Sequence, residues 1–94
     1  MKDGIGGRMQ NIDKEHILTI NNDDYIVIET IIKDNKKYLF LKGIDEEENL
    51  LDSQLIVRLV KNESGEFGVE DIEDRLLMET LRNEFANRLR KEYI

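Results

Sequence analysis

The chain has 94 residues, room for one domain, with 39% hydrophobic and 37% charged side chains; Ile, Leu and Val are too plentiful for a disordered chain, and the length is too short for a large core. It has no cysteine, which excludes a disulfide framework, a thiolate nucleophile and a Cys-based zinc site. The formal net charge of −7 is concentrated in residues 43–74, where eleven acids face only Arg58 and Lys61, and such a band repels phosphate backbones.

Residues Met1–Glu15 show no sustained period and include Gly4, Gly6 and Gly7, so a flexible tail is expected there, with Met9 as an alternative start. The glycines do not make a dinucleotide fingerprint, because its third glycine would fall on Met9. The segment has no apolar h-region, and no apolar run in the chain approaches the ~18 residues of a membrane span. A cytoplasmic location is the expectation by default.

A single α+β domain is expected over residues 16–94. His16–Ile20 is a short β-type run, and Asn21–Asp24 supplies residues that tolerate the left-handed backbone of a tight turn. Tyr25–Lys33 is rich in β-branched residues and reads as a strand. A turn at Asp34–Lys36 leads to a third strand over Lys37–Gly43, and the short connections make the three antiparallel. Ile44–Ser53 reads as the longest connection and holds the acidic cluster. The fourth strand is expected over Gln54–Lys61, with a turn at Glu63–Glu66 and, over Phe67–Val69, a short fifth strand or a strand-like lead into the helix. Asp71 is the expected N-cap of a helix over Arg75 to about Glu92, with Glu73 and Asp74 in its first turn. Along that helix Leu77, Leu81, Phe85 and Leu89 recur every four residues and make the buried stripe.

One helix covers one face of such a sheet, yet both faces carry apolar residues. In the fourth strand Leu55, Val57 and Leu59 point one way, while Ile56 and Val60 point the other, beside Arg58. Tyr38 and Phe40 oppose Leu39 and Leu41 in the same manner. The second face therefore needs a cover. Curling of the sheet is the first expectation, ahead of self-association, the tail or a different protein.

No catalytic constellation emerges. His16 is the sole histidine and has no nucleophile or ligand partner at a usable spacing. Asp45-Glu46-Glu47-Glu48 lacks the alternating ligands and central glycine of a calcium loop, and reads as a solvated acidic loop or a docking site for a basic protein surface. Arg82, Arg88, Arg90 and Lys91 suit the negative end of a helix dipole, and Glu84 stands four residues before Arg88 for pairing.

Several segments resemble the YrzB-like family, a domain of unknown function in small acidic bacterial proteins. They are Leu18-Thr19-Ile20 before an acidic turn, Ile28-Glu29-Thr30-Ile31, Lys37-Tyr38-Leu39-Phe40-Leu41, Leu55-Ile56-Val57-Arg58-Leu59, and Val69–Asp74 leading into the helix. The resemblance covers about four-fifths of the chain and brings no family activity or site residue with it.

The expected architecture is an antiparallel β-meander of four to five strands, with one C-terminal helix packed on one face. The expected role is a cytoplasmic, non-enzymatic protein–protein interaction module with a protein partner or a second copy of itself. It needs no cofactor, metal, nucleic acid or membrane. Its partner-contact candidates are Asp45, Glu46, Glu47 and Glu48 in the acidic loop, and Ile56 and Val60 on the second sheet face. The rival readings are an acidic inhibitor that mimics nucleic acid, and a small enzyme or metal-binding domain.

Overall fold

The computed structural model describes residues 12–92, with side chains through Arg90. Among the described residues five strands, β1 (Ile17–Ile20), β2 (Asp23–Lys33), β3 (Lys36–Ile44), β4 (Leu50–Lys61) and β5 (Phe67–Asp71), precede one helix, α1 (Arg75–Glu92). The strands form one sheet in sequence order, antiparallel at every junction. The expected α+β meander is the observed fold. No helix among the described residues is long and apolar enough to cross a membrane.

Local chemistry explains the first two hairpins. Asn21 and Asn22 close β1–β2 with φ of 52° and 72°, and Asp34 and Asn35 close β2–β3 with φ of 53° and 65°. Two successive left-handed residues make a turn whose twist matches that of the flanking strands, and Asn and Asp carry that conformation at the least cost after glycine. The register follows from these turns, with Ile20 opposite Asp23 and Lys33 opposite Lys36.

In β3 and β4 the pleat sorts the apolar residues by alternation, while the register shift in β2 puts Val27 and Ile31 on opposite faces. On one face Val27, Leu39, Leu41 and Val57 are buried, joined by Leu18, Ile20, Leu55, Leu59 and Val69. No helix among the described residues lies there; residues from both outer strands pack on the same cluster because the sheet curls. Register shifts between Val27 and Glu29, and between Lys42 and Ile44, mark β-bulges, which bend strands and increase their twist. Of the segment expected to be a loose tail, residues 1–11 lie outside the described residues. Residues 12–15 are bound to the sheet: Ile12 packs on this cluster, and the Glu15 N–H donates to the Val27 carbonyl at 2.8 Å.

The helix covers the other face. Leu81 and Phe85 are fully buried against Ile31 and Tyr38, with Phe40, Ile56, Ile72 and Leu77 packed around them. The Phe40 and Phe85 rings meet at 5.6 Å between centroids, tilted by 34°. Ile56 and Val60 were expected on the uncovered face, and this is corrected: Ile56 lies beneath the helix and Val60 is half-buried. Tyr38 and Phe40 share that face, and two aromatic rings bury more area under a helix than the leucines opposite.

Several element boundaries differ from expectation. β3 runs on to Ile44, and β4 begins at Leu50 because Ile44 pairs with Leu50 beyond the second bulge. Asp71 is not the N-cap but the last residue of β5, paired with Val57. Asp74 caps α1, its Oδ1 accepting from the N–H groups of Leu76 at 2.9 Å and Leu77 at 3.1 Å. Two ties hold the far end of the helix: Lys33 meets Glu84 at 3.4 Å, and Arg88 donates to the Thr30 carbonyl at 3.2 Å. Glu84 and Arg88 thus reach across to β2 rather than to each other.

Candidate functional site

The acidic loop is built around its first residue. Oδ1 of Asp45 accepts from the backbone N–H groups of Asn49 at 2.8 Å and Glu47 at 2.9 Å. The Asp45 N–H donates to the Asn49 carbonyl at 3.0 Å, and the Glu48 N–H to the Asp45 carbonyl at 2.9 Å. The Asn49 backbone bond, with help from the Asn49 side chain and the Glu47 N–H, holds the Asp45 carboxyl below the usual aspartate range because it stabilises the charged form.

The β4–β5 turn repeats the design. Oδ1 of Asn62 accepts from the Glu66 N–H at 2.9 Å. The Asn62 N–H donates to the Glu66 carbonyl at 2.9 Å, and the Gly65 N–H to the Asn62 carbonyl at 3.0 Å. The fourth residue of each turn is left-handed, Gly65 at φ 86° and Glu48 at φ 65°. Asp45 therefore organises a hairpin, and of the four acids proposed for docking only Glu46, Glu47 and Glu48 present unengaged, exposed carboxylates.

The concave site lies elsewhere. An open, largely apolar groove of about 500 Å³ runs between α1 and the middle of β4. Phe40, Ile56, Ile72, Phe85 and Leu89 form its apolar lining, with Met78 and Ala86 on the helix wall. Gln54, Asp71 and Arg82 are its polar residues. The helix starts just after β5 and is tied to β2 through Glu84 and Arg88, and Met78 to Leu89 form the groove's helical wall. Of the sequence candidates, Ile56 reaches this groove; Val60 and the acidic turn are not part of its lining.

Beside the groove β4 has an unpaired edge. β5 pairs only with Val57–Lys61, so the outer edge of Leu50–Ile56 has no strand partner among the described residues. Leu50 and Leu51 on this stretch are 58% and 42% exposed. The bulge opposite Gly43 lifts Leu51–Ser53 out of the β3 ladder. A Cβ on Gly43 would sit 2.2 Å from the Ser53 Oγ, so the absence of a side chain there is what lets the bulge lie close.

Two other polar groupings are structural. Buried Glu29 pairs with Lys14 at 3.0 Å and ties the N-terminal turn to β2, a role that nothing in its sequence neighbourhood signals. Arg58 and Glu70 pair across β4 and β5, and the Glu70 carboxylate raises the Arg58 pKa through a hydrogen bond and its charge. His16 supports the first turn, its Nδ1 accepting from the Asp13 N–H at 2.8 Å. No group of three or more His, Cys, Asp or Glu placed to hold a metal ion occurs among the described residues.

Comparison with known proteins returns no matching family model, no matching curated protein and no matching solved structure. The resemblance to the YrzB-like family rests on the quoted segments alone.

Proposed function

We propose that the chain is a non-enzymatic, cytoplasmic protein-binding module whose docking surface is the groove between α1 and β4. The observation that carries this reading is an apolar concavity lined by Phe40, Ile56, Phe85 and Leu89. Contiguous apolar surface with a polar rim is what interfaces bury. Asp71 and Arg82 are the ionisable residues on its lining, a complement suited to orienting a bound chain.

The acidic-mimic reading draws less support. It requires one continuous stripe of carboxylates, whereas Glu46–Glu48 stand at one end of β4, Glu63 and Glu66 at the other, and Glu70 is engaged with Arg58.

Ala86 is exposed and lines the groove without contributing to the core, so Ala86→Arg fills the site while leaving the fold intact. Affinity capture from the native cell should return a partner with the original chain and lose it with Ala86→Arg, at unchanged thermal stability. A partner retained by Ala86→Arg would refute the groove.

A further inference from the structure

We infer that the groove takes an extended peptide segment of a partner protein, carrying alternate apolar and basic residues, which adds to β4 as a sixth strand. This rests on the proposed docking role and specifies its occupant. β4 is twelve residues long, and β5 covers five of them before Asp71 leaves the sheet edge. The track that β5 vacates is open beside Gln54–Ile56, with the groove along it. A strand laid there would satisfy backbone N–H and C=O groups that now face outward. Its alternate side chains would enter the space above Phe40, Ile56 and Leu89, the mode in which ladder bonds give affinity and pockets give selectivity. The bulge at Leu51–Ser53 confines the regular ladder to about three residues, so the groove must contribute much of the contact, and indiscriminate edge pairing is discouraged.

Charge selects the occupant. Asp52 lies on the edge itself and Asp71 at the groove, with Glu73 just beyond; none takes part in an ion pair among the described residues. Glu46, Glu47 and Glu48 stand at the near end of β4. Arg82, on the helix wall, is the single cation lining the groove among the described residues. A basic strand meets complementary potential along this track. A second copy would instead bring two edges bearing Asp52 together, in chains of net charge −7.

The test uses fluorescence anisotropy with the full chain and a labelled octapeptide alternating valine and lysine. Two controls accompany it: the same peptide with glutamate for lysine, and one of the same composition with its valines grouped together. The alternating basic peptide should bind about tenfold or more tightly than either control, and weaken as salt screens the acids. The double variant Asp52→Lys, Asp71→Lys should lower that affinity about tenfold at unchanged circular dichroism. Hydrogen exchange should show new protection at Gln54–Ile56. Equal binding of the three peptides, protection confined to Glu46–Glu48, or a stable dimer by light scattering already protecting Gln54–Ile56 would overturn the proposal. Loss of the strand peptide with a partner still sensitive to Ala86→Arg would reject the strand and keep the docking surface; loss of both would reject both.

Discussion

At the scale of single residues, the two five-residue turns make a natural comparison. Gly65 and Glu48 occupy the same place in them, and only Glu48 carries a side chain into the left-handed region, which costs ~1 kcal/mol for a residue other than Gly, Asn or Asp. Glu48→Gly should therefore raise stability by roughly 0.5–1 kcal/mol, seen as a higher urea midpoint at unchanged slope. A lower midpoint would mean that the Glu48 side chain does something the turn geometry does not show. Asp45 was legible only as one acid of four. Its distinct role depends on the N–H groups of Glu47 and Asn49 converging on it, and that convergence exists only once β3 and β4 have paired.

At the scale of elements, the helix shows what periodicity reads well. Leu77, Leu81, Phe85 and Leu89 were marked as one stripe, and Leu81 and Phe85 are its buried centre. Leu76, next in sequence to Leu77, is 78% exposed. Leu81→Ala should cost about 2–4 kcal/mol by cavity formation, while Leu76→Ala should stay within about 0.5 kcal/mol. Thermal or urea unfolding of the two variants checks the difference, and comparable losses would contradict the orientation of the helix. Boundaries were less legible because neighbours decide them. Leu50-Leu51-Asp52-Ser53 has no β-branched residue to signal a strand, and it becomes one through pairing with Ile44. Asp71 and Asp74 both suit a cap, and the length of β5 selects Asp74 by keeping Asp71 on the sheet.

At the scale of the whole molecule, the need to cover the second face was evident from the strand alternation, and curling was the first of the expected answers. Which face the helix takes was not legible, because the faces of β4 are nearly equal in apolar content. The difference lies in Tyr38 and Phe40 on β3, one strand away. The groove was not legible either. It arises where α1 stands over β4 beyond the stretch that β5 pairs with, and that placement is not encoded in any one segment. With the curled face closed by Leu39, Leu41 and Val57, an apolar concavity remains beside the helix.

Photocrosslinking in the native cell tests this most directly, with a photoreactive residue in place of Ala86 in the groove or of Glu47 in the acidic turn. A discrete adduct with another protein from position 86, and none from position 47, is the predicted result. An adduct from position 47 alone would contradict it and return the binding role to the acidic turn.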